Sequence, residues 1–478
     1  MTRMTRRNLF GLSVLATAGL ATGCTDDAAS SDTPAVASGA GTLDWWDHFS
    51  SFQTLNDDWA ATQSTALGVK VVHTYSDAGK ADQALQLAHQ ANKMPAVYSN
   101  VVGIPLAALV DGNWVHEIKL SEADLAKLPK GTMTDGITSL DGKIYGVPML
   151  SMRQSSTLTW MNTDHLRRAG LDPTEPPTDY AGFKDFCRRL AAVKAIPLTM
   201  ALGGDGGRAE EQVNELAQVA GFAGSEGLKF SGEYAYHDDS YLTVIEFLKE
   251  LYEQKYLLPG SNTLDVVNAR TRFAAGAVAM FVDGNFSPGG CKAIEPTFVD
   301  KMAFGPILVP TAGTDPWTYR GSPSPTYFVS KGVDDLQAAQ GLVDSLLTEE
   351  YQKGMIAAMD QPPLNLDLVA DNPDATDAYK QGVAFVRDNV FLMPEAIVRN
   401  PEIAAVDAKR KPVSPTLGNI VQGYLVDAIT DLRGALKKLS DSNEADRQQA
   451  IKAARQSGAK VSEDDYVFSD WVPGKDYH

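Results

Sequence analysis

From residue 42 onward the chain alternates between two hydrophobic rhythms. Short runs rich in β-branched and aromatic residues give way to longer runs with apolar residues three and four apart. Gly41–Trp46 reads as a first strand, and Trp45-Trp46-Asp47-His48-Phe49 forms its end and the loop after it. Leu55–Leu67 reads as a helix, Val69–Thr74 as a strand, Lys80–Ala91 as a helix, residues 94–98 as a buried strand and Leu106–Asp111 as a helix. That order predicts an α/β body with parallel strands and helices on both faces.

The stretch Asp141–Asn162 then breaks the rhythm. Asp141-Gly142 supplies a tight turn, and an extended run follows that is too long for one ordinary strand. It is expected to cross between two bodies. A second series begins after it. Helices are expected at Asp164–Ala169, Tyr180–Ala192 (capped by Thr178 or Asp179), Glu210–Ala220, Ser240–Gln254 and Val266–Ala275. Strands are expected at Ile196–Ala201, Val278–Val282, Ala303–Val309 and Thr326–Ser330, with residues 316–325 as a loop. The remainder reads as helical, over Leu336–Thr348, Glu350–Met359, Asp374–Asn389, Leu417–Leu439 and Glu444–Gly458.

The first 41 residues follow other rules. A basic start with Arg3, Arg6 and Arg7 precedes an apolar run, Leu9–Leu20, too short to span a bilayer. Ala21-Thr22-Gly23-Cys24 follows and resembles a lipobox, so residues 1–23 read as a lipoprotein signal peptide and Cys24 as the lipidated residue. The paired arginines leave two export routes open, general secretory or twin-arginine. Residues 24–41 contain nothing that builds a core and read as a flexible tether. The chain carries a net charge of −18, and −21 beyond the signal segment. That excludes a nucleic-acid-binding body and suits a self-repelling monomer outside the cell. Cys187 and Cys291 either pair as a disulfide or, for Cys187, fill a core position in F-K-D-F-C-R-R-L.

The chemistry on offer is that of binding. Ring faces stack on the C–H faces of sugars, and carboxylates accept from hydroxyl groups. Trp46, Asp47 and His48 at the end of the first strand present both, while alternation turns Trp45 inward. Gly204-Asp205-Gly206-Gly207-Arg208-Ala209 matches a dinucleotide fingerprint on paper. In an exported protein it reads better as a turn whose amides, with Asp205, face a ligand. The 7 histidines are scattered and no metal motif or cofactor site is found.

Several segments, in order, resemble one family. L-D-G-K-I-Y-G-V-P-M with T-L-T-W-M-N, then A-G-L-D-P with P-P-T-D-Y-A-G-F-K-D-F-C-R-R-L, then F-A-A-G-A-V-A-M-F-V-D-G-N-F, are similar to segments of family 1 extracellular solute-binding proteins. These are the maltose-binding-like receptors of carbohydrate ABC importers. The resemblance implies an α/β, two-lobed periplasmic-binding-protein-like fold with a hinge and an interlobe cleft. Lobe I would comprise residues 42–152 and 326–361, and lobe II residues 158–322 and 365–478. Crossings would lie near 151–158, 322–327 and 360–364. The implied partners are a carbohydrate ligand, the permease subunits and the membrane, through a lipid on Cys24. Asp283 and Phe286 stand where relatives carry a loop with a sugar-stacking Trp, and Asn100 follows a strand whose usual Asp is here Ala96. Arg153 sits in the first crossing, either facing the ligand or bridging lobe to crossing. The expected function is therefore a lipid-anchored receptor with no catalysis. An exported lyase or glycosidase is the main alternative, and a sensing or adhesion receptor is a third reading.

Overall fold

The computed structural model describes residues 41–203 and 208–478. Cys24, the signal segment, the tether up to residue 40 and Asp205 lie outside the described residues.

Two sheets organise the described chain. In the first, Lys70–Tyr75, Thr42–Asp47, Val97–Ser99, Tyr327–Val329 and Gly146–Val147 are neighbours in that order. The first three run parallel, as the alternation of strands and helices predicts. Tyr327–Val329, whose direction the sequence left open, runs antiparallel to both of its neighbours. Hydrophobic period tells a strand's faces but not its direction, and this strand arrives from the far half of the chain rather than over a local helix. In the strand T-L-D-W-W-D, Leu43, Trp45 and Asp47 turn inward and Trp46 outward. Trp45 sits in a core with Val97, Val147, Tyr327, Leu342 and Tyr351.

The second sheet runs Met302–Gly305, Leu158–Asn162, Met280–Asp283, Leu198–Thr199. Leu158–Asn162 is antiparallel to both neighbours and buried at every residue. A second core of Trp160, Phe183, Phe273, Phe281 and Tyr379 surrounds it. The helix Tyr180–Ala192 starts where its sequence says, with the Asp179 side chain accepting from Gly182 N–H.

Register fixes which sheet ends face each other. Tyr327 pairs with Ser99 and Val147, so residues 321–326 enter the first sheet where its parallel strands end. Leu158 pairs with Asp283, so residues 148–157 enter the second sheet where Met280–Asp283 ends. Both sheets therefore turn their strand carboxyl ends toward the same connecting segments. A further segment, 359–365, joins them: Ser151 N–H donates to the Pro362 carbonyl at 3.0 Å and Leu364 N–H to the Met149 carbonyl at 3.1 Å.

Two C-terminal expectations are corrected. The helix expected over Leu417–Leu439 ends at Leu425, and a new helix runs unbroken over Leu432–Gln456. Asp427 takes a positive φ of 60° and Asp431 caps the second helix through Gly434 N–H, so the break falls there. The polar run at residues 440–443 reads as a stop but is one helical turn, with Lys437 paired to Asp441 and the Ser440 hydroxyl donating to the Leu436 carbonyl. The expected loop over 316–325 contains a strand, Thr318–Arg320, paired in parallel with Val390–Leu392. Three residues are too few to show a period.

Cys187 and Cys291 are free thiols, both fully buried, which decides the disulfide question for the folded chain. Burial pushes the Cys291 thiol up to about 12 and that of Cys187 further, so neither is a ready nucleophile.

Beneath the first sheet, His73 sits between two carboxylates. Its Nε2 lies 3.2 Å from Asp47 Oδ2 and its Nδ1 2.7 Å from Asp57 Oδ1. Burial alone would lower the imidazole. The close negative charge of Asp47, joined by the hydrogen bond and charge of Asp57, outweighs it and holds the pKa above its ordinary value. A raised folded pKa stabilises fully below about pH 6.5, and the gain fades as pH rises through the folded value. Substituting His73→Gln is expected to cost on the order of 1–3 kcal/mol in acid and less in alkali. Urea unfolding at about pH 5.5 and about pH 8.5 checks this; equal losses at both would contradict it.

Candidate functional site

The site is built from loops that leave the strand carboxyl ends, where ligands of open α/β sheets collect. On the first-sheet side, His48 follows the strand Thr42–Asp47. Its Nδ1 lies 2.7 Å from the Ser99 hydroxyl, and its ring rests on Phe49 at 4.3 Å. Burial lowers the His48 imidazole and Asp47 only partly restores it, so this ring is neutral at physiological pH. Asn100 leaves the neighbouring strand; its N–H donates to the Thr326 carbonyl at 2.9 Å and its side chain stays half-buried. Trp46 is half-buried and rests on a small cluster with Tyr98, Leu106 and Phe328.

On the second-sheet side, Asn285 and Phe286 follow Met280–Asp283. The Phe286 ring folds back over Gly284, where a Cβ would lie 2.2 Å from ring atoms. Arg208 stands 4.7 Å and Arg270 5.9 Å from the ring centroid. Those cations use the ring's negative face, so Phe286 is a charged-rim aromatic rather than a bare platform.

Three of the expected ligand residues, Asp47, Asp283 and Arg153, are engaged by protein partners. Asp47 is 1 % exposed and accepts from Asn56 Nδ2 at 2.5 Å and the Tyr327 hydroxyl at 2.9 Å. The alternation that buries Trp45 buries Asp47 as well. Asp283 is fully buried, with Arg270 Nη2 at 2.9 Å, Arg208 Nε at 3.1 Å and the Ser287 hydroxyl donating at 2.5 Å. Arg153 turns away from these loops, and its Nη2 lies 2.7 Å from Asp476 Oδ2.

A network missed in the sequence joins the loops to the crossings. Arg208 bridges Asp283 to Glu211, with Nη1 2.7 Å from Glu211 Oε2. The Ser156 hydroxyl in the first crossing donates to Glu211. Arg320 Nη2 lies 3.2 Å from that hydroxyl and 3.5 Å from Glu215 Oε2. Burial would raise Glu211, but Arg208, the Ser156 hydroxyl and Arg320 outweigh it and hold the carboxyl below its usual range. Glu215 is 4 % exposed, and there burial wins over Arg320 and raises it. The one available signal was G-G-R-A-E-E at a helix start, which reads on paper as a phosphate loop.

Beside this network lies an open cavity of about 430 Å³, lined by Glu210, Glu215, Glu226, Tyr319, Arg320 and Met393 among others. Its walls mix acceptors, a guanidinium and an aromatic, the set that grips hydroxyl-rich molecules. Among the described residues no group of His, Cys, Asp and Glu is arranged to hold a metal ion. Nor is any helix among them long and apolar enough to cross a membrane.

Comparison with known proteins decides the family. The profile of the bacterial extracellular solute-binding proteins matches residues 59–385. The chain belongs to that family. A maltooligosaccharide ABC transporter solute-binding lipoprotein of Streptococcus pneumoniae is 24 % identical over 309 residues, 63 % of this chain and 67 % of the relative. Solved structures share the fold of this solute-binding protein. The GacH receptor of Streptomyces glaucescens, solved unliganded and with acarbose, has a TM-score of 0.62 at 18 % identity, covering 86 % of this chain and 98 % of its own. MalX of Streptococcus pneumoniae, solved with maltopentaose, has 0.59 at 18 %, covering 86 % and 99 %. RafE, solved with raffinose, has 0.62 at 13 %, covering 85 % and 99 %. The fold is thus the two-lobed one, with a hinge and a cleft between lobes.

Because Asp283 neutralises two cations of this solute-binding protein, Asp283→Asn should destabilise it by roughly 3 kcal/mol, the low end for breaking a buried pair. Thermal unfolding reads this. Unchanged stability with weakened ligand binding would return Asp283 to the ligand.

Proposed function

We propose that this protein is the receptor of an ABC importer and takes an oligosaccharide between its lobes. The observation that carries this reading is the register. The carboxyl ends of both sheets open on the same crossings, with His48 and Asn100 on one side and Phe286 on the other. The lobes are residues 42–152 with 326–361, and 158–322 with 365–478. Trp46, His48, Asn100 and Phe286 contact the ligand. Asp205, outside the described residues, remains a ligand residue on sequence grounds. The named relatives bind maltopentaose, raffinose and acarbose, which supports a carbohydrate here. The lipid on Cys24 tethers the receptor to the outer face of the cell membrane, where it meets the permease subunits as a monomer.

Binding works by difference. A ligand that touches both lobes gains contacts only in the closed form, and that differential affinity shifts the hinge equilibrium. Aromatic stacking supplies about 1 kcal/mol per ring beyond area, and fixed donors and acceptors supply orientation. Catalysis plays no part. Glu211 and Glu215 have pKa values driven apart, as a glycosidase pair would. Both, however, rise from one face of one helix and are locked onto the Ser156 hydroxyl and amide, so they cannot flank a scissile bond.

Titration of the protein with neutral oligosaccharides, following tryptophan fluorescence and Tm, tests the reading. At least one saccharide should raise Tm, by about 2.7 kcal/mol of stabilisation at a hundredfold excess over Kd, with no product formed. Phe286→Ala should then weaken that saccharide by about 1 kcal/mol, roughly fivefold, at little cost in Tm. Stabilisation by a peptide or a polyamine but by no saccharide would contradict the carbohydrate assignment.

A further inference from the structure

Arg153 is the long basic side chain of the first crossing, and it faces the C-terminal segment rather than the cleft loops. Its side chain is 24 % exposed. Nη2 lies 2.7 Å from Asp476 Oδ2, and Nη1 donates to the Val390 carbonyl. Asp476 is fixed from its other oxygen, which accepts from Leu392 N–H at 2.8 Å. Tyr477 N–H donates to the Leu392 carbonyl at 2.9 Å. Residues 474–477 therefore run along the strand Val390–Leu392, whose other edge pairs with Thr318–Arg320. Gly474 locks the far end: its N–H donates to the Tyr319 hydroxyl at 3.2 Å, its φ is +69°, and a Cβ there would meet the Trp317 ring at 2.7 Å. The segment is thus firmly built onto the half that holds the second sheet.

Toward the first-sheet half its seat is light. Gly131 is where the two approach, and a Cβ there would lie 3.4 Å from Leu392 and 3.8 Å from His478. The rest of that junction is a cavity of about 280 Å³ bordered by Lys130, Thr132, Arg153, Asn365 and Asp476. Pro129, Met152, Leu364 and Leu392 line it as well, so the junction is an open space of mixed polarity rather than a packed core. The side chain of Arg153 is thus gripped from the second-sheet half, while the backbone of the crossing bonds to residues 362–364. A single partly exposed ion pair adds little stability. A planar guanidinium held by a fixed carboxylate and a strand carbonyl does, however, set a direction.

We infer that Arg153 and Asp476 form a clasp that positions the first crossing, setting the resting angle between the lobes without touching ligand. Arg153 is on this account a positioning residue. The inference rests on the two-lobed hinge described above and deepens the receptor reading, but it does not depend on which molecule is bound. Its physical content is that the clasp keeps the backbone at residues 148–157 from sampling wider openings. Losing either partner releases the same restraint.

The test uses the ligand-free full chain and its Arg153→Gln, Asp476→Asn and doubly substituted forms. Asn at 476 keeps the acceptor for Leu392 N–H and removes only the charge. Hydrogen exchange is followed in peptides covering 148–157 and 158–162, with small-angle scattering for lobe separation and Tm as a control. Each single variant should speed exchange at 148–157 by about threefold, the factor of a partly exposed ion pair. Each should also raise the radius of gyration, while 158–162 and Tm stay unchanged. The double variant should match the singles, since they open one clasp. Unchanged exchange at 148–157, additive effects, or uniform acceleration with a lower Tm would each overturn the inference. With no ligand present, failure of the saccharide titration leaves this outcome unaffected.

Discussion

The structure depends on how one buried segment that belongs to neither sheet satisfies its backbone. Residues 149–151 pair briefly with 362–364, and beyond them the crossing has no ladder before Leu158. Side chains of the second half do that work. Ser155 N–H donates to Asn285 Oδ1 and Asn285 N–H returns a bond to the Ser155 carbonyl. Ser156 N–H donates to Glu215 Oε2 at 2.7 Å, and Gln212 Nε2 donates to the Ser156 and Val282 carbonyls. An unmet buried amide or carbonyl costs about 1–3 kcal/mol. Side-chain partners meet that need with bonds that pivot more readily than a sheet ladder. The buried part of the crossing, residues 155–157, is thereby satisfied without a sheet ladder.

This arrangement orders the rest. Helix 209–219 presents Glu211, Gln212 and Glu215 to the crossing, where all three bond to Ser156. Arg208, just ahead of it, ties the same helix to Asp283 and covers Phe286. Phe286, proposed above to contact ligand, and the hydrogen bonds of the crossing therefore share a set of charges. Ligand that displaces Arg208 from the ring would also disturb Glu211 and Ser156.

Much of the frame was legible in the sequence. Helical periods of ten or more residues with an Asp cap, as at Tyr180–Ala192, declare themselves. So does the strand T-L-D-W-W-D with its inward Trp45. The same alternation, followed one residue further, would have placed Asp47 inside. Strand direction was not legible, because Tyr327–Val329 owes its antiparallel pairing to where the chain comes from. Nor were charge roles. An Asp in a loop beside an aromatic reads as a ligand residue, and only the fold brings Arg208 and Arg270 onto Asp283. The clasp is the extreme case, since Arg153 and Asp476 are 323 positions apart and no local pattern joins them. Family resemblance conveyed the hinge and the lobes, which no period or spacing expresses.

The central claim is that the two halves move as bodies about these crossings when ligand binds. Spin labels at Leu87→Cys and Val267→Cys, both exposed and one on each half, measure it directly in a Cys24→Ser background, since Cys187 and Cys291 are buried. A saccharide that binds should shift the distance distribution of this pair to a new maximum. A pair within the second half, Val193→Cys with Val267→Cys, should stay put. A bound saccharide that leaves both distributions unmoved would contradict the account.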